Sequence, residues 1–149
     1  MDKYIVTHRR VIHGCELLNL VPQLSSTRHE KQQRIWRGNL VVEELMKRGV
    51  NDLIPRYVLR FESYGNKQFT FCTTVVMSSL KDFEFVIRKV MDCRFYICVY
   101  CNCMNIVLEL RILNGLEEQK FRDIWYRMRD EFEMMDERFK DRDIRGIMV

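Results

Sequence analysis

Four of the six cysteines in this chain of 149 residues, Cys93, Cys98, Cys101 and Cys103, crowd into one short stretch. A structural zinc site uses ligand pairs spaced by about two to four residues, with a second pair well separated. Cys98 and Cys101 meet the first condition, and His13 and Cys15 are the pair that would complete a site from the N-terminal region, although no spacing compels it. The surrounding residues read as a strand, which points positions three apart to opposite faces. Free cysteine also packs as a small hydrophobe. Core packing is therefore the expectation for these thiols, with no metal and no cofactor. Disulfides are not expected in the intracellular setting argued below.

The three histidines, His8, His13 and His29, all fall in the first thirty residues, none beside a serine or cysteine nucleophile in a sharp strand-to-helix turn. The carboxylate pairs Glu43-Glu44 and Asp130-Glu131 are sequence neighbours, and neighbours on a helix do not face each other. The chain carries no phosphate-cradling glycine loop, no dinucleotide fingerprint and no HExxH zinc motif. The expectation is a protein that is not an enzyme, with no catalytic residues.

Binding is the chemistry that remains. The formal net charge is +4, and its basic excess lies in residues 1–50. There Arg28, Lys31, Arg34 and Arg37 recur every third residue, which on a helix forms one slowly drifting band. Duplex RNA is read through phosphates and 2′-hydroxyls, so such a band suits it without any base-reading code. Trp36 either flanks that band or anchors the helix in the core. At the other end, Trp125, Met128, Phe132, Met135 and Phe139 repeat at helical spacing. Methionine-rich faces repack readily against varied partners, so this stripe is the candidate surface for a protein partner or a second copy.

The elements that carry these residues follow from periodicity. Thr27 followed by Glu30 has the spacing of a capping box and predicts a helix running to about Arg48, stopped by Gly49. Residues 57–75 alternate in the manner of a hairpin, and Ser79 begins a helix with apolar positions at Leu80, Phe83, Val86, Ile87, Val90 and Met91. A second hairpin follows, Phe95–Cys101 and Met104–Leu113, and then a last helix from Asn114. The expected architecture is α+β and one domain: an N-terminal segment over 1–56 with one long helix, then two ββα units over 57–92 and 93–149. These units would build a four-stranded antiparallel sheet with helices on one face.

Composition closes the reading. At 47% hydrophobic and 31% charged residues, the chain can bury a real core. The richest apolar run, Phe95 to Cys101, is far shorter than the ~20 residues of a membrane-spanning helix, and Met1–Arg10 lacks the pattern of a signal peptide. No membrane association is expected, and the expected setting is intracellular, cytoplasmic or nuclear. Alanine is absent, while proline (two), threonine (five) and serine (five) are scarce. Alanine, proline, threonine and most serine codons share a cytosine at the second base, which fits a coding frame constrained by an overlapping gene. The expectation is a viral accessory factor that binds a host or viral protein. The alternative is a duplex-RNA-binding protein that uses the arginine-rich helix and one sheet face. Small viral suppressors of RNA silencing share that recipe of strands, helices and arginine-rich termini, an analogy of architecture.

Overall fold

Alternation of apolar and polar residues runs through most of the chain, and strands dominate the result. The computed structural model describes residues 3–20, 32–65, 69–91 and 94–147, with the side chains of Met91 and 139–147 set aside. The elements are β1 (Tyr4–Leu18), β2 (Arg34–Lys47), β3 (Tyr57–Ser63), β4 (Phe69–Thr73), α1 (Leu80–Val86), β5 (Ile87–Met91), β6 (Arg94–Cys101), β7 (Met104–Ile112) and α2 (Gly115–Ile147). All seven strands join one antiparallel sheet in the order β4-β3-β2-β1-β7-β6-β5. A further pairing of Thr73 with Tyr100 links β4 to β6, so the sheet curls round and meets itself.

The four-stranded sheet with an N-terminal helix is thus corrected to a seven-stranded sheet, and the helix expected up to Arg48 is strand β2. Trp36, Leu40 and Val42 point into the core, while Arg37, Asn39 and Glu43 point the other way, a period of two. The β-branched pair Val41-Val42 favours a strand over a helix. What decides is the partner: β2 pairs with β1 from Tyr4↔Lys47 to Leu18↔Arg34. Gly38 sits where nothing larger fits, because a Cβ there would stand 2.1 Å from the Glu62 carbonyl oxygen and 2.5 Å from the Trp36 ring. The Thr27–Glu30 capping spacing lies outside the described residues.

Two bulges bend β1, the first between Val6 and His8. Between Ile12 and Cys15 the register slips at Gly14, whose φ of +71° is open to glycine without strain. Beyond that bulge, Cys15–Leu18 also pairs with β7. The two hairpins expected after residue 57 are present as β3-β4 and β6-β7. The helix expected from Ser79 is present but short. Ser79 Oγ caps it by accepting from Asp82 N–H at 3.1 Å, and the chain turns into β5 at Ile87.

The last helix starts where expected, with Asn114 Oδ1 accepting from the N–H groups of Leu116 and Glu117. It lays its apolar stripe on the inner face of the curled sheet. Phe121 meets Phe95 edge-on at 4.9 Å, Phe132 meets Tyr57 at 5.9 Å, and Trp125 lies 5.7 Å from Phe83. Each such aromatic pair contributes about 0.5–1.5 kcal/mol beyond its area burial. Tyr57 also donates its hydroxyl proton to Glu131 of the helix.

Candidate nucleic-acid interface

The inner face being filled by α2, the outer face of the sheet is where polar side chains gather. Partners directly opposite each other on antiparallel strands share a face. One row therefore runs Arg34, Leu18, Glu109, Tyr96, Arg88 across β2, β1, β7, β6 and β5. The next row holds Arg37, Glu16 and Arg111. Four inter-strand steps of about 4.8 Å carry the first row roughly 19 Å.

The two signs of charge sit at different depths. Glu109 keeps only 5% of its side-chain exposure, while Arg94 and Arg111, at 3.8 and 3.9 Å from its carboxylate, keep 55% and 50%. Glu16 is 13% exposed and lies beneath Arg34, whose Nη1 is 3.3 Å from its Oε2. The same layering continues on the face, where Arg60 reaches Glu43 at 2.9 Å and Arg9 donates to Glu62. Burying a carboxylate against a sheet is costly unless it is paired. The guanidiniums supply that pairing from above, their stems lying along the strands and their heads toward water. Each guanidinium has five donors in a rigid fork, so one engaged with a carboxylate still offers N–H groups to a phosphate.

The sequence-predicted site residues divide accordingly. Arg34 and Arg37 share this face although they lie three apart on a strand. The register slips at Ile35, between Leu17↔Trp36 and Leu18↔Arg34, and that bulge restores them to one side. Arg28 and Lys31 lie outside the described residues. Sequence reasoning missed Arg88, Arg94, Arg111 and Tyr96. The signal was present in β7, where Glu109 and Arg111 alternate with Leu108, Leu110 and Ile112, yet only the pairing register shows that they join Arg34 and Arg37.

The stripe proposed for a partner has another place. Trp125, Met128 and Phe132 are buried in the fold's own core, and Met135 is half-buried. The Phe139 side chain is outside the described residues. Trp36 is likewise core, edge-on to Phe61 at 5.3 Å.

Cys72 and Cys101 are neighbours across β4 and β6. Cys98 is buried, Cys101 half-buried and Cys103 exposed in the β6-β7 turn, and Cys93 is outside the described residues. Burial pushes the Cys15 and Cys72 thiols up to about 12, which keeps them protonated at neutral pH and withholds the thiolate that a nucleophile or metal ligand requires. Among the described residues no three His, Cys, Asp or Glu side chains are grouped to hold a metal ion. None of the described helices is long and apolar enough to cross a membrane. Compared with known protein families, curated proteins and solved structures, the chain has no match in any of the three.

Proposed function

We propose that the protein binds the backbone of duplex RNA on the outer face of its sheet, without catalysis. The observation that supports this is the layered charge: Arg34, Arg37, Arg88, Arg94 and Arg111 present outward over sunken Glu16 and Glu109. Each paired guanidinium is about half exposed and meets its carboxylate with only part of its fork, so its remaining N–H groups are open to phosphate oxygens without breaking the pair. A rigid sheet about 19 Å across holds them as an array, which suits a ligand recognised by shape and backbone.

The test is a gel-shift with short duplex RNA at about 50 and 200 mM salt, using the wild type and the triple variant Arg34→Gln, Arg37→Gln, Arg111→Gln. The wild type is expected to shift the duplex and to weaken steeply with salt. The variant is expected to bind at least about tenfold more weakly at low salt, with a shallower salt slope. Circular dichroism is expected to be unchanged. A folded variant that binds as tightly overturns the reading, as does a wild type that ignores duplex RNA at low salt.

A second reading, binding of a protein partner or a second copy, is favoured by one observation. Met46, Leu53 and Met134 stand exposed around a cleft of about 360 Å³ between the end of β2, residues 52–56 and α2. Light scattering on Leu53→Asp against wild type tests self-association: a wild type of monomer mass counts against a homo-oligomer, and an oligomer that Leu53→Asp leaves intact counts against this cleft as its seam. The viral setting rests on composition alone, and a coding frame that overlaps no other gene overturns it.

A further inference from the structure

A separate cleft of about 500 Å³ lies between α1, β5 and α2, floored by Leu80, Phe83 and Ile87. Its polar wall is an aromatic pair flanked by two cations. Trp125 and Tyr126 pack edge to face at 5.0 Å. Lys89 Nζ lies 5.4 and 4.8 Å from their ring centres, and the Arg129 guanidinium carbon 5.2 and 4.9 Å. Lys89 Nζ also donates to Tyr126 Oη at 2.8 Å. Arg88, the end of the arginine row on the outer face, borders the same cleft.

Two donors here have no acceptor. Trp125 is 8% exposed, and its Nε1–H is shielded from solvent with nothing to receive it. Arg129 Nε–H is shielded in the same way, the Glu133 carboxylate standing off at 3.8 Å, while Arg129 Nη2 lies 3.7 Å from Asp130 Oδ1. A donor shielded from water is equally shielded from a ligand oxygen, so these two N–H groups are a cost carried by the fold, and the donors open to the cleft are Lys89 Nζ and the outer N–H groups of Arg129. The carboxylates of the wall, Glu84 and Glu133, are both exposed at its rim. A cationic ligand would find both aromatic rings already taken by Lys89 and Arg129. The size suits a small organic molecule, since such sites run from about 300 to 1,000 Å³ with an apolar lining and a few polar groups.

We propose that this cleft binds a small organic oxyanion, a phosphate monoester or carboxylate carried on an apolar body. The oxyanion lies between Lys89 Nζ and the Arg129 guanidinium, beside the Trp125 ring, and the apolar body rests on Phe83, Leu80 and Ile87. This site does not depend on the RNA reading, because its donors lie at the β5–α2 junction and involve neither Arg34 nor Arg37.

The chain's two tryptophans supply the readout. Trp36 has an equally shielded, unpartnered Nε1–H but packs against Phe61 in the core, away from this cleft. The indole N–H signals are followed by nuclear magnetic resonance in the whole protein, assigned with Trp36→Phe, during titration with phenyl phosphate, benzoate or benzyl alcohol. Phenyl phosphate or benzoate is expected to move the Trp125 signal saturably while Trp36 stays still, and whichever saturates at lower concentration identifies the preferred oxyanion. Benzyl alcohol is expected to move neither. The double variant Lys89→Gln, Arg129→Gln is expected to raise the half-saturation concentration at least tenfold with the Trp36 signal unmoved, and higher salt is expected to weaken binding to the wild type. A Trp125 signal indifferent to both anions, or moved as far by benzyl alcohol, overturns the proposal. So does a folded double variant that binds as well, or wild-type binding that ignores salt.

Discussion

At the scale of the residue, the tightest constraint is Gly38. Its missing Cβ lets Glu62's carbonyl and the Trp36 ring close over β2, and Trp36 in turn packs edge-on against Phe61. Gly38→Ala is expected to destabilise by about 3 kcal/mol, the upper end of ordinary overpacking, because the atom met first is backbone and cannot rotate away. Gly115→Ala is the control. No atom stands within 4 Å of a Cβ there, and alanine is the better helix former, so its stability is expected to be unchanged or raised. Urea unfolding of the two variants checks this, and equal midpoints would refute the steric account.

At the scale of the element, the β6-β7 hairpin turns through Asn102 and Cys103, with φ of 49° and 62°. Positive φ at both central residues is the type I′ turn whose twist matches antiparallel strands, and Asn-Gly is its best sequence. Cys103 holds a left-handed conformation that costs a side-chain-bearing residue roughly 1–2 kcal/mol. Cys103→Gly is therefore expected to raise the melting temperature by about 2–4 °C, checked by thermal denaturation under reducing conditions. Both hairpins, the Ser79 cap and the start of α2 were legible in the sequence because local chemistry decides them. The β1-β2 ribbon was not. Its apolar positions Ile35, Leu40, Val42, Leu45 and Met46 satisfy a loose helical spacing as well as a strand, and only pairing with residues 4–18 breaks the tie. The arginine face was half legible for the same reason. Arg34 and Arg37 stood out by spacing, whereas Arg94 and Arg111 join them through register alone.

At the scale of the whole molecule, alkaline pH reads out the burial of the core. The Cys15 and Cys72 thiols are raised from 9.0 to about 12, chiefly by burial, and burial, then Glu131, also raise the Tyr57 hydroxyl above its ordinary 10.0. The unfolded chain gives up these thiol protons near pH 9 while the folded chain keeps them, so the stability they carry is full below pH 9 and lost as pH climbs toward 12. Urea midpoints are expected to fall from about pH 9 upward, and to fall less in Cys15→Ala, Cys72→Ala. A midpoint flat to pH 11 would contradict the burial assigned to them. One feature of the sheet also bears on the order in which the chain is made. Val11 of β1 offers its carbonyl to Lys120 of α2 at 2.8 Å, and the His13 N–H donates to Glu117 at 3.1 Å. Those closures span 109 and 104 residues, and β7, which covers Cys15–Leu18, also comes late. At about 5–20 residues per second, a ribosome takes roughly 5–20 seconds between making this edge and making the helix that shuts it. Through that interval the first strand of the nascent chain carries open backbone groups, and those seconds are when it is most exposed to pairing with another chain.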